Sequence, residues 1–194
     1  MKFAWKHLAA VALLTTLTPV GVEAFGQEGK QEKPKVYDES ADAEKDLAAA
    51  LERAAKNHKR VLVVYGANWC GWCIKLDKFS KSNREVSRKL RYEYEVVKVD
   101  IGGWDKNMDM AARYQANIRE GVPYLTVLDG AGKVVTNLCT GELETGPAHD
   151  EKKVMAFLEK HQATAPDAED VMAAAYQNAK ETGRSLYVHL GAPW

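Results

Sequence analysis

The chain has 194 residues, of which 46% are hydrophobic, and its 27 basic side chains are balanced by 27 acidic ones. This length suits one ordinary domain with extensions, or two very small domains. The balanced charge gives no strong field to attract nucleic acid or anionic lipid, and three cysteines are too few for a disulfide-stapled scaffold or a four-cysteine zinc site.

The N-terminal residues have the three regions of an export signal. Two lysines give a positive start, the largely apolar residues 8–17 follow, and Val22 and Ala24 suit cleavage by a signal peptidase after Ala24. The alternative is a membrane anchor, but this apolar run is too short to span about 30 Å of hydrocarbon. We therefore predict a signal peptide over residues 1–24, a periplasmic or secreted protein, and no stable membrane insertion after cleavage.

After the signal, residues 25–41 are polar and aperiodic, which indicates a linker. The pattern beyond them alternates between helices and strands, beginning with a helix capped by Ser40 or Asp42. In chain order we predict that helix, a strand at 61–65, a helix from Cys70 through Phe79, a strand at 95–100, a short helix at 108–114, strands at 124–128 and 133–138, and a helix at 150–161. Helices between strands imply parallel pairing, and the turn at 129–132 adds an antiparallel edge. The predicted fold class is α/β, a central mixed sheet flanked by helices.

Two cysteines lie three residues apart where the second helix begins. Cys70 lies at the cap and Cys73 one turn inside, close enough to form a disulfide. The helix N-terminus offers unpaired amides and the positive end of the dipole, and both stabilise a thiolate at Cys70. Because the thiolate is the attacking species in disulfide exchange, we predict that Cys70 is the nucleophile and Cys73 the resolving residue, with no metal or organic cofactor.

Trp69 to Cys73 read WCGWC, and Val122-Pro123 follows about fifty residues later before another strand. This combination resembles the thioredoxin family, in particular its exported bacterial members, over roughly residues 42–162. The resemblance implies a thioredoxin-like fold and a thiol–disulfide oxidoreductase that acts on protein thiols or disulfides together with a redox partner protein. It also implies that Pro123 is a cis-proline beside the disulfide and that Val122 presents its backbone to substrate.

Other residues near the motif receive roles from the same resemblance. Lys98 matches the family's buried lysine near the active site, whereas Val64 occupies the position of a buried acid that assists proton transfer in thioredoxins. Resolution by Cys73 would then need a water, Lys98 or another base. We interpret Trp69 and Trp72 as an aromatic rim for substrate, and core packing of one of them is an equally good reading.

Two other functions compete with catalysis. In one, the chain is a non-catalytic binding module and the two cysteines form a structural disulfide; in the other, it is a Cu(I)-binding chaperone. Haem attachment is excluded because Ile74 follows the second cysteine where a histidine is required. The third cysteine, Cys139, is interpreted as a small buried hydrophobe rather than a redox residue.

The C-terminal part of the chain repeats the beginning of the domain. Residues 163–170 are interpreted as a second linker, and from Asp167 the sequence matches residues 42–69 at an offset of 125, with 11 of 28 positions identical. We predict that residues 171–194 begin an incomplete second thioredoxin-like repeat. The alternative is a natural C-terminal helix and strand that dock on the first domain, with residues 185–190 as the strand.

Overall fold

A computed structural model describes residues 35–189, so the predicted signal peptide and most of the first linker lie outside the described residues. Within this range the α-helices are α1 (Ala43–Asn57), α2 (Gly71–Ser82), α3 (Arg84–Glu93), α4 (Met108–Arg113), α5 (Glu151–His161) and α6 (Ala168–Thr182). The strands are β1 (Arg60–Gly66), β2 (Tyr94–Asp100), β3 (Tyr124–Leu128), β4 (Val134–Cys139), β5 (Glu144–Thr145) and β6 (Ala148–His149). Single 3₁₀ turns occupy Ile118–Glu120 and Thr140–Leu143.

The four longer strands form a mixed sheet in the order β2-β1-β3-β4. β1 pairs parallel with β2, while β3 pairs antiparallel with both β1 and β4. The mixed sheet flanked by helices is thus confirmed, including the antiparallel hairpin at its edge. In the parallel pair Gly66 lies opposite Asp100 and Val64 opposite Lys98, so the carboxyl ends of β1 and β2 meet at one edge, where the helix of the two cysteines begins.

Both faces of the sheet are covered, as the unbroken apolar run of β1 predicts. Side chains of a strand alternate between its faces, so Val63 and Tyr65 lie in the core that α1 and α4 cover. Leu62 and Val64 lie in the opposite core, which α2, α3 and α5 cover. The result is a three-layer arrangement with the cysteine helix on one side of the sheet.

The helix predicted from Cys70 through Phe79 ends at Ser82, and the sequence analysis did not anticipate the next helix, α3. Asn83 separates α2 from α3 because its backbone is extended (φ −81°, ψ 117°), and its N–H donates to Phe79 O. Its side chain also accepts the N–H of Val86 at 3.0 Å and so caps α3. The break turns α3 so that Val86 enters the core completely buried.

Helix α6 repeats α1 at the predicted offset of 125, at both ends. Asp42 and Asp167 cap the two helices with their side chains, and the capping residues at the other end, His58 and Gly183, are both left-handed. Each of these last two residues donates its N–H to the carbonyl four residues earlier. Within residues 35–189, however, α6 buries none of its residues, and residues 184–189, where a strand was predicted, have no regular secondary structure. A second thioredoxin-like repeat therefore stays a prediction.

Candidate functional site

The two cysteines lie at the start of α2, shortly after the end of β1, and they form a disulfide with Cα atoms 5.2 Å apart. Cys70 is the N-cap of α2, and its Sγ accepts the backbone N–H of Cys73 at 3.0 Å. This amide, together with the positive end of the helix dipole, stabilises negative charge on Cys70 once the bridge is reduced. Cys70 is 5% exposed and Cys73 1%, so Cys70 is the more accessible of the two residues.

The loop before β3 brings Val122 and Pro123 to the disulfide. The Val122–Pro123 peptide bond is cis, and the Val122 carbonyl oxygen lies 3.4 Å from Cys70 Sγ. Thr140, the first residue of the 3₁₀ turn after β4, holds the loop in place, because its hydroxyl and its N–H both donate to Pro123 O, at 2.9 and 3.2 Å. The backbone of Val122 is therefore fixed beside Cys70.

The two tryptophans of the motif have different surroundings. Trp69 is 48% exposed, donates its Nε1–H to Gly102 O at 2.6 Å, and lies 5.6 Å from the ring of Trp104. Trp72 is half-buried, with the ring of His149 edge-on at 5.4 Å and Lys75 Nζ 4.1 Å from its centroid. An exposed aromatic surface next to the disulfide therefore belongs mainly to Trp69, while Trp72 packs partly against the β5–β6 hairpin.

Cys73 has an acidic residue nearby that was not predicted from the sequence, Asp77. It does not occupy the position of the buried acid of thioredoxins, which is Val64 in this chain. Asp77 follows Cys73 by one helical turn and forms ion pairs with Lys98 and Lys81. Burial raises the pKa of Asp77, but hydrogen bonds from the two lysines outweigh that effect, so the pKa of this carboxyl lies below its usual range. The i, i+4 spacing from Cys73 was the signal for this residue, but a lone acid on a helix usually faces solvent.

Lys98 is not buried as the resemblance implied, because its side chain is 33% exposed. The reason is that β2 is the edge strand of the sheet within residues 35–189, so no further strand shields it. A cavity of about 70 Å³ is lined by Cys73, Asp77 and Lys98 among apolar side chains. The structure thus brings Lys98, paired with the Asp77 carboxylate, close to Cys73.

The end of the predicted linker is docked on this site instead of extending from the domain. Tyr37 is 3% exposed and packs in one cluster with Cys70 and Cys73. Asn68, in the turn before the cysteines, accepts the N–H groups of Val36 and Tyr37 at 2.8 and 2.9 Å and donates to Tyr37 O at 2.9 Å. Sequence reasoning missed both residues because their contact spans 31 positions of the chain.

Cys139 lies at the end of β4, half-buried, and forms no disulfide within the described range 35–189. The burial predicted for Cys139 is only partial: the side chain packs against the core, and β4 is an edge strand of the sheet within residues 35–189. No group of three or more histidine, cysteine or acidic side chains in that range is arranged to hold a metal ion.

Comparison with known proteins places these features in a family. A family model described as thioredoxin-like matches residues 42–130. The crystal structure of a disulphide isomerase from Xylella fastidiosa Temecula1 is 35% identical, has a TM-score of 0.59, and aligns over 66% of this chain and 96% of that one. The chain belongs to the thioredoxin-like family. Both the family and the thioredoxin-like fold predicted from the sequence are confirmed.

A curated protein also resembles this thioredoxin-like chain. Disulfide bond reductase DsbH from Chlamydia pneumoniae is 27% identical over 100 residues, a match that covers 47% of this chain. The same match covers 58% of DsbH, so the chain spans little more than half the length of this relative. The five site residues Trp69, Cys70, Trp72, Cys73 and Pro123 all lie inside the residues that the thioredoxin-like family model matches.

Proposed function

We propose that this thioredoxin-like thiol–disulfide oxidoreductase catalyses disulfide exchange on exported proteins, with Cys70 as the attacking residue and Cys73 as the resolving one. The observation that carries the proposal is the position of Cys70 Sγ. It caps α2, accepts the Cys73 N–H, and belongs to the more exposed residue of the bridge. Disulfide reduction and isomerisation, after which the two relatives are named, both require such a sulfur.

The proposed reaction has two balanced steps. The Cys70 thiolate attacks one sulfur of a substrate disulfide, so a mixed disulfide forms and the other substrate sulfur leaves as a thiolate. Cys73 then gives its proton to a water or another base, and its thiolate attacks Cys70 Sγ. The Cys70–Cys73 bond forms, the bond to the substrate breaks, and the second substrate sulfur leaves as a thiolate. The substrate has gained two electrons and the cysteine pair has lost two, which a redox partner protein replaces. The reverse sequence oxidises a substrate.

Substrate would bind across the surface around Cys70. The exposed ring of Trp69 offers an apolar contact, and the fixed backbone of Val122 offers hydrogen bonds to an extended peptide. Pro123 shapes this surface because its cis bond turns the chain there. Trp72 contributes its exposed edge. Protein thiols and disulfides are thus the proposed substrates.

The proposed export rests on the N-terminal pattern of residues 1–24, which lie outside the described structure. Within residues 35–189, no helix has the length and apolarity that a membrane crossing requires. N-terminal sequencing of the protein secreted by a bacterial host tests this part, because cleavage after Ala24 leaves Phe25 as the first residue. Retention of Met1 on the accumulated protein would contradict export by this signal.

Insulin reduction in the presence of dithiothreitol tests the catalytic assignment. We expect the wild-type chain to accelerate insulin precipitation and the Cys70→Ser variant to lose that acceleration. Cys139→Ser is the matched control, since it removes the remaining thiol without touching the bridge, and should retain activity. Wild-type turnover in Cys70→Ser would refute the assignment. A reduction potential below about −300 mV would instead indicate a stable structural disulfide.

A further inference from the structure

Tyr37 places a phenol hydroxyl next to the resolving cysteine. The side chain is 3% exposed and shares a contact cluster with Cys70 and Cys73. A Cβ atom built on Gly66 would lie 2.7 Å from Cys73 Sγ and closer still to Tyr37 Oη, so both atoms converge on the space that this glycine leaves open. The phenol oxygen and the sulfur therefore lie within about 5 Å of each other.

The turn that leads to the cysteines also fixes this phenol. Three hydrogen bonds join the Asn68 side chain to the backbone of Val36 and Tyr37. A fourth runs from Asn68 Nδ2 to Glu39 Oε1 at 2.8 Å, and Lys106 Nζ donates to Glu39 O at 2.9 Å. Because Asn68 lies two residues before Cys70, the phenol and the cysteine pair are positioned by one short stretch of chain.

The charged groups around the phenol keep it protonated. Burial raises the pKa of Tyr37 well above its usual range, and the carboxylates of Asp77 on α2 and Asp100 on β2 add to that effect. These carboxylates have cationic partners of their own: Lys98 and Lys81 pair with Asp77, and Lys106 Nζ lies 3.4 Å from Asp100. In the disulfide form, the Tyr37 hydroxyl has no hydrogen bond to any residue in the described range 35–189. The phenol therefore has a proton to offer to a negative charge that forms within its reach, and Cys73 Sγ lies within about 5 Å.

We propose that Tyr37 donates a hydrogen bond to the Cys73 thiolate when the bridge is reduced, and so assists the resolving step in place of the buried acid missing at Val64. The inference rests on the proposed exchange function. In that step Cys73 gives its proton to water, the hydrogen bond from the phenol stabilises the resulting Cys73 thiolate, and this thiolate attacks Cys70 of the mixed disulfide. The bond to substrate breaks, the new Cys70–Cys73 bond forms, and the phenol keeps its own proton throughout.

The pH dependence of Cys73 alkylation tests this without any substrate. In a Cys70→Ala, Cys139→Ala background, Cys73 is the remaining thiol, and its reaction with iodoacetamide reports the thiolate fraction. Tyr37→Phe keeps the ring and removes the donor, so we expect alkylation near pH 7 to slow roughly tenfold and its midpoint to rise by about one pH unit, the size of a hydrogen bond to a charged group. Tyr94→Phe is the matched control, because Tyr94 is equally buried at 3% but donates to Leu158 O in the other core.

An unchanged alkylation midpoint in Tyr37→Phe overturns the proposal, and so does an equal shift in Tyr94→Phe, which would indicate a general loosening of the fold. If Tyr37→Phe does not fold, Asn68→Ala releases the same segment while the phenol remains, and the midpoint must rise there too. Because alkylation needs no turnover, a chain that fails to reduce insulin can still show the shift. A chain that reduces insulin with no shift keeps the exchange function and loses this role of Tyr37.

Discussion

Gly66 is the residue at which the fold and the redox site are most tightly coupled, so Gly66→Ala is expected to destabilise both. The new methyl group would lie 2.7 Å from Cys73 Sγ and closer to Tyr37 Oη, whereas ordinary contacts begin at 3.4 Å. The sulfur would have to move by about 0.7 Å and the phenol by about 1 Å, a displacement typical of overpacked cores, which costs roughly 1–3 kcal/mol. Expelling the tyrosine ring would forfeit about 4–6 kcal/mol of apolar burial, so the smaller shift is favoured.

We therefore expect Gly66→Ala to lower the free energy of unfolding by about 2–3 kcal/mol, the upper part of that range because two buried groups must move. Urea unfolding of the oxidised protein measures this. Gly141→Ala is the matched control, since its Cβ would meet nothing within 4 Å, and its midpoint should barely change. A wild-type midpoint in Gly66→Ala would refute the steric reasoning. In a Tyr37→Ala background, Gly66→Ala should lower the free energy of unfolding by a smaller amount. If the two substitutions are strictly additive, the clash with the phenol does not contribute to the destabilisation.

Two further predictions concern pH. Burial lowers the pKa of His149, so its neutral form is favoured in the fold and stability should fall as the pH drops below the usual histidine range near 6.5. In His149→Phe the urea midpoint should depend less on pH between pH 7 and 5 than in the wild type. The same pH dependence in both proteins would contradict this. The pKa of Asp77 is lowered by its lysines against the opposing effect of burial, so its stabilisation is present above the usual carboxyl range and lost as the pH falls. Asp77→Asn should therefore be less stable than wild type at pH 7 and approach it by pH 3, and a constant difference in thermal midpoint would count against the ion pairs.

Local sequence patterns predicted most of the fold because most of its elements are locally encoded. The helix α1 was found from its apolar spacing and its Asp42 cap, and the closing helix α5 from Val154, Phe157 and Leu158, all three of which are buried. The strand β1 was predicted from its continuous apolar run, and its parallel pairing with β2 followed from the intervening helices. The antiparallel pairing of β3 with β1 did not follow from that rule, because helices also lie between these two strands. Helix α3 was not predicted, although the Asn83 side chain before it is a good helix cap, because most of the residues that follow are polar.

The candidate site was predicted only as far as its motif extends. Cys70, Cys73 and Pro123 were identified from spacing and resemblance, but the residues that surround Cys73 come from distant segments. Tyr37 lies in a stretch with no periodicity, and its burial depends on Asn68, which composition alone assigns to a turn. Such contacts are set by tertiary packing, and no local pattern encodes them.

The matching helices α1 and α6 differ in how much of their surface is buried. α1 buries Ala43, Leu47, Ala50 and Ala54 against the sheet, whereas α6 buries none of its residues within the described part of the chain. A 15-residue helix held by its caps and propensity alone is marginal in water. Backbone amides of α6 would therefore exchange with deuterium through local fraying, while those of α1 would wait for opening of the whole domain. Amide exchange in α1 would thus measure the free energy of global unfolding, and exchange in α6, the helix with the matching caps, would measure the free energy of local opening.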